Sequence, residues 1–175
     1  MISLDGEGVS MTHFLALTNE KQRLRKAILN NQNIVNLLVN TGDNTDEYQD
    51  IRTGSKSPAS KLVKSHFYVP GTEQEGRNYI SMRSRIVYPV STHVKQVVLV
   101  VYIICNEDQI DLLQGSRADL IAHELDQMVN HWQDPLFGLG GVKVSGAEEV
   151  QFNNGYSGWE ISYSTYERNR NPEVS

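Results

Sequence analysis

One stretch constrains this chain more than any other: THVKQVVLVVYIIC, from Thr92 to Cys105. Its second half, Val97 to Cys105, is an uncharged run of Val, Leu, Tyr and Ile. A bilayer needs roughly 20 apolar residues, so the run is too short to span one. β-Branched and aromatic residues at this density favour a strand covered on both faces. The run reads as the central strand of a sheet, and such a strand needs apolar material above and below it. Two amphipathic helical segments, one well before it and one directly after, can supply that material. The expected fold is therefore a layered α/β (α+β) domain: a mainly antiparallel sheet packed by two amphipathic helices, with a long polar loop after the first helix.

A chain of 175 residues suits one domain over 1–175 with long excursions. Its formal charge of -5 gives no general attraction to nucleic acid or anionic lipid, which points to protein partners. The single cysteine, Cys105, lies inside the apolar run and reads as a buried small hydrophobe in a protein made in the cytosol, not as a nucleophile. The start, MISLDGEGVS, carries early acidic residues and no long apolar run, so it reads as neither a secretory signal nor an anchor. Residues 1–12 read as a flexible arm and 168–175 as a polar tail.

From Asn19 onward, Leu24, Ile28, Val35 and Leu38 recur at helical spacing, with Thr18 or Asn19 as cap and Gly42 as stop. The cluster Asn30, Asn31, Asn33 has poor helix propensity and keeps open a second reading, two shorter helices broken there. Residues 41–64 form a polar connection that runs from acidic (Asp43, Asp46, Glu47, Asp50) to basic (Lys56, Lys61, Lys64). His66 to Val69 is expected to begin the sheet. The next strand holds Tyr79, Ile80, Met82, Ile86, Val87 and Tyr88, with Met82, Ser84, Ile86 and Tyr88 on one face and Arg83, Arg85 and Val87 on the other. Pro89 should stop its ladder. A second helix, Arg117 to Trp132, is capped by Ser116, with Asp119 near the positive end of its dipole and a stripe of Ile121, Leu125, Met128, Val129 and Trp132. Two closing strands are expected, Val142 to about Ser145 and Trp159 to Tyr166, with a bend at Gly155–Gly158.

Catalytic motifs are sparse. His123-Glu124-Leu125-Asp126-Gln127 superficially resembles the H-E-x-D-H of peptide deformylases, but the fifth position is Gln127, and neither the Gly-rich segment nor the E-G-C context of that family is present. His131 lies two helical turns from His123, too far along the axis to share an ion comfortably. A small metallohydrolase using His123 and Glu124 stays as the minority reading; the expectation is no enzyme, no catalytic residues, no metal and no cofactor. No nucleophile elbow, Walker A loop or dinucleotide fingerprint occurs, and Gly138–Gly141 precedes a strand and not a helix. Tyr156 and Trp159 flank a glycine-rich bend, where packing outranks a sugar platform.

Several phrases together carry a resemblance: RIVYPV (Arg85–Val90), the apolar strand ending at a short acidic turn, SRADLIAHELDQMV (Ser116–Val129), and GLGGVKVSGAEEV followed by FNNGYSGWEISYSTYERN. In these, and in its order of elements, the chain resembles the tail terminator (tail completion) proteins of long-tailed bacteriophages, over roughly Arg85 to Asn169. It departs by the long polar insertion after the first helix. The resemblance implies a virion protein of the neck, assembled in the bacterial cytoplasm. Such a protein is a homo-oligomeric ring, commonly a hexamer, that caps the tail-tube protein and docks the head-closure protein. DNA passes through the lumen without sequence-specific binding, and no membrane is involved. Arg77, Arg83, Arg85, Lys56, Lys61 and Lys64 are the candidate lumen or interface residues. The isolated chain should be monomeric or weakly associating, and a head-closure (stopper) protein is the runner-up.

Overall fold

The computed structural model describes residues 13–39, 58–71, 77–91, 94–113, 115–130, 139–153 and 155–168. The arm, most of the 41–64 connection with Gly42 and Lys56, Thr92, His93, His131, Trp132 and the end of the tail lie outside the described residues. In chain order the elements are α1 (His13–Asn30), α2 (Gln32–Val39), α3 (Pro58–Leu62), β1 (Val63–Lys64), β2 (Tyr79–Ser91) and β3 (Val94–Asn106). After a 3-10 turn at Glu107–Gln109 come β4 (Asp111–Leu112), β5 (Gly115–Ser116), α4 (Arg117–Asn130), β6 (Leu139–Asn153) and β7 (Tyr156–Arg168). The fold is the expected mixed one: a five-stranded sheet in the order β1-β2-β3-β7-β6, antiparallel except for the short β1–β2 pairing.

β3 is central, with Val97 through Cys105 buried and partners on both sides. Alternation divides its side chains between two faces. On one face Val97, Leu99, Val101, Ile103 and Cys105 line up with Ile80 and Met82 of β2 and with Ile161 and Tyr163 of β7. Ala118, Ile121, Leu125 and Val129 of α4 join the same core, and α4 contacts β3, β6 and β7. α2 packs beside α4, and α1 continues the layer over β1 and β2, adding Leu24, Ile28, Ile34 and Leu38. The helices therefore form one layer; the expectation of a helix on each side of the central strand is corrected. Among the described residues, the other face is covered by aromatic side chains at its lower end. There Phe67 packs edge-on against Tyr102 with ring centroids 4.8 Å apart, Tyr68 sits 5.3 Å from Tyr79, and Asn153 Nδ2 donates to the Pro70 carbonyl. The segment from His66 to Gly71 is thus an aromatic strap and not the opening strand; the sheet begins earlier, at Val63.

The first helical region breaks at Asn31, the second of the two readings. Asn31 Oδ1 accepts from the amides of Asn33 and Ile34 (3.0 and 3.2 Å), which caps α2 while α1 ends one residue before. α1 starts earlier than expected, at His13, so Thr18 and Asn19 lie within the helix and not at its start. β2 also runs past Pro89, with a register shift between Val87 and Ser91. Proline, lacking an N–H, is tolerated at such an irregularity on an outer strand. The closing strands are far longer than expected, because β6 and β7 form one hairpin that turns at Gly155, where φ is 91°.

Two buried polar side chains tie these layers together. Arg117, 5% exposed, donates from Nε to the Gln109 carbonyl (2.7 Å) and from Nη1 to the Leu37 carbonyl (2.6 Å), placing its charge at the negative end of α2. Its own amide donates to the Ile110 carbonyl at 2.7 Å. Asn78 accepts from the Asn106 amide (3.1 Å) and donates to Gln109 Oε1 (3.3 Å), which fixes the start of β2 against the end of β3.

Candidate interaction surface: the helix-free face and its two edges

Strand alternation determines what the helix-free face carries. Above the strap, β2 presents Arg83 and Arg85, β3 presents Val98 and Val100, β7 presents Ser162 and Ser164, and β6 presents Gly146 and Glu148. Arg83, Arg85 and Glu148 are exposed, whereas Val98 and Val100, each 3% exposed, lie between them. Long arginine stems cover apolar surface while their guanidinium groups stay in water, which suits this arrangement. At the strap boundary the Tyr102 hydroxyl lies under the influence of both Arg83 and Glu160. Burial raises that phenol's pKa above its usual range, with Glu160 adding and Arg83 opposing.

Of the six basic residues singled out from the sequence, the fold brings three to one face. Lys64 pairs in register with Ser81 and so joins Arg83 and Arg85, although its ammonium lies 5.1 Å from the Tyr68 ring centroid. Lys61 is exposed on α3, Arg77 is exposed just ahead of β2, and Lys56 lies outside the described residues.

The two edges of the sheet matter as much as the face. β1 pairs only with Ile80 and Ser81, so Met82 to Val87 has no strand on its outer side among the described residues. At the opposite margin the whole of β6 is outermost. Exposed large apolar side chains gather at these margins and their upper end: Ile86, Val87, Val144 and Tyr166. Strand edges of this length are templates for pairing with another chain, and exposed apolar groups beside them mark contact surfaces. The sequence reading missed the β6 edge, although the spacing of Val142, Val144, Val150 and Phe152 around Glu148 and Glu149 held the signal.

The His123 region is occupied by packing contacts. His123 Nε2 lies 2.9 Å from Gln127 Nε2, while Glu124 accepts from Asn33 Nδ2 (3.0 Å) and, at longer range, from Asn31 Nδ2 (3.5 Å). Glu124 thereby joins α4 to the α1–α2 break. Among the described residues no three His, Cys, Asp or Glu side chains are placed to share a metal ion. Cys105 is fully buried, and that burial pushes its thiol up to about 12, against a smaller lowering by Arg117. A thiol so protonated is a packing group and not a nucleophile. A cleft of about 410 Å³ opens between the start of α4, the 3-10 turn and the β6–β7 hairpin, lined by Glu107, Asp119, Glu149 and Trp159. Two of these acids are engaged: Trp159 Nε1 donates to Asp119 (2.7 Å) and Gln151 Nε2 to Glu107 (3.2 Å). Tyr156 is buried, so it forms no platform beside Trp159. No described helix is long and apolar enough to cross a membrane.

Comparison with curated proteins yields no match. A family profile, YomW, matches residues 31–165, from the cap of α2 to the buried half of β7. That span contains the break at Asn31, the central strand, α2 and α4 of the helix layer, and both margins of the sheet. This chain belongs to the YomW family, a phage-derived group, and is a phage-associated protein.

Proposed function

We propose that the chain is a structural subunit of the phage neck, a tail terminator that forms a ring on the end of the tail tube and joins it to the head. The observation that carries this reading is a single one: a sheet face that bears Arg83 and Arg85 and holds no helix among the described residues, flanked by β6 and by β2 beyond Ser81, neither of which has an outer strand among those residues. Repetition of one such heterologous contact closes into a ring when the rotation per copy is right. With the helix layer outside, the basic face lines the lumen, where scattered positive groups meet DNA phosphates without reading sequence. The phage family and the resemblance to tail terminators support the same assignment, and the resemblance gives the ring as a hexamer. Its partners are then the tail-tube protein on one side and the head-closure protein on the other, and its place is the virion.

Deleting the gene from an inducible phage tests the proposal. Heads unattached to tails, and tails of irregular length, are the expected products by electron microscopy, with the protein present at the neck of complete particles. Intact virions of normal tail length that lack the protein would refute it.

A further inference from the structure

We infer that copies of this chain join by antiparallel pairing of β2, along Met82–Val87, with β6 of the next copy, along Gly146–Gln151, placing Arg85 opposite Glu148. The inference rests on the ring reading only for closure; the pairing itself follows from the edges. β2, β3, β7 and β6 alternate in direction, so β6 runs opposite to β2. A neighbour related by rotation about the strand direction therefore offers its β2 antiparallel to β6, and the sheet continues without a change of pattern.

Three observations narrow the register. Each margin has one uninterrupted stretch: β2 is regular up to Val87 and is covered by β1 only at Ile80 and Ser81, while β6 is regular between its register shifts at Val144/Gly146 and Gln151/Asn153. The helix layers of both copies must lie on the same side. A slip of one residue turns every side chain over, so Arg83 and Arg85 can face only Gly146, Glu148 or Val150. Charge then selects among the allowed positions, because β2 carries two exposed arginines on this face and β6 an exposed glutamate. Joining β2 to β2 would set arginine against arginine, whereas joining β2 to β6 pairs opposite signs.

Aligning the two uninterrupted stretches end to end puts Arg85 at Glu148, Ser84 at Glu149, and Val87 at Gly146. In its own copy Glu148 is level with Glu160, Tyr102 and Ser81, so each copy steps from Ser81 to Arg85, four residues over four long strands. One residue per strand is also the ratio of an eight-stranded barrel of shear 8, whose strands tilt by about 36°. The register is therefore compatible with a closed barrel. Pro89 and the β6 irregularities limit casual pairing outside these stretches, in keeping with a chain that assembles on a template.

Disulfide trapping tests this. Val87→Cys and Gly146→Cys leave Arg85 and Glu148 in place, and a Cβ at Gly146 meets nothing within 4 Å. Directly opposed residues stand at distances a disulfide can bridge, while diagonal neighbours do not. Under mild oxidation, concentrated protein and isolated particles carrying both substitutions in one chain should give a ladder of linked multimers. A mixture of the two single variants should give dimers containing one of each. Arg85→Glu or Glu148→Lys alone should lower the yield by roughly threefold, and the double charge reversal should restore it. Dimers formed by either single cysteine variant alone, or particles that contain the protein at the neck yet give no cross-link, would overturn the pairing. The second of those results leaves the neck assignment standing. A ladder formed in solution by a protein absent from virions leaves the pairing standing and removes the neck assignment.

Discussion

The seam between β3 and β7 holds the sheet together, and Gly158 is where it tolerates least. A Cβ built on Gly158 would fall 2.0 Å from the Ile103 carbonyl oxygen and 3.0 Å from its carbon. The obstacle is backbone, so no side chain can move aside. Bringing the first contact out to 3.0 Å requires β3 and β7 to part by about 1 Å at their most buried point. Ladder hydrogen bonds there contribute about 1 kcal/mol each, and a buried amide or carbonyl left unpaired costs about 1–3 kcal/mol more. Gly158→Ala should therefore destabilise by about 3–5 kcal/mol, a large share of a typical domain's stability, and lower Tm by roughly 10 °C. Gly146→Ala is the matched control: it lies in the neighbouring strand, its Cβ meets nothing within 4 Å, and the change should stay within about 0.5 kcal/mol. Urea unfolding followed by Trp fluorescence measures both. Equal midpoints for the two variants would refute the close approach of β7 to Ile103.

Other consequences are equally direct. Asn31→Ala removes the acceptor for two α2 amides and should cost about 1–2 kcal/mol in urea unfolding, whereas Asn31→Ser, which keeps a capping oxygen without setting a second carboxylate against Glu124, should retain most of the stability. Arg117→Lys cannot reach the Gln109 and Leu37 carbonyls together and should cost roughly 3 kcal/mol; a loss under 1 kcal/mol would show that the clamp is dispensable. Cys105 titrates near 9 when unfolded and about 12 when folded, so its contribution is complete below pH 9 and is lost as pH rises toward 12. Relative to Cys105→Ala, the parent chain should lose about 1.4 kcal/mol per pH unit above pH 9, and identical alkaline profiles would contradict the buried thiol. Elemental analysis of purified protein should find no stoichiometric zinc; zinc that disappears in His123→Ala would instead support the metallohydrolase reading of His123 and Glu124.

What the sequence determined by itself was local. The density of β-branched residues from Val97 to Cys105 marked the central strand, two-residue alternation put Arg83 and Arg85 opposite Met82 and Ser84, and helical spacing marked Ile121, Leu125 and Val129. Each of these is a property of neighbouring residues, so periodicity sufficed. Half of the candidate surface was legible in this way, namely the basic face of β2. The rest came from distant segments meeting. Periodicity cannot say that α1, α2 and α4 share one side of the sheet, that β7 inserts beside β3 and leaves β6 outermost, or that Phe67 and Tyr68 close the lower end of the other face as a strap. In the sequence Arg117 marked only the start of a helix; its role as a buried clamp was not legible, because the Leu37 carbonyl that receives it lies 80 residues away in the chain. Which strands end up at the margins is decided by the order in which the sheet is assembled. That order is set by the total area buried and the hydrogen bonds completed across the whole layer, and no local pattern encodes it.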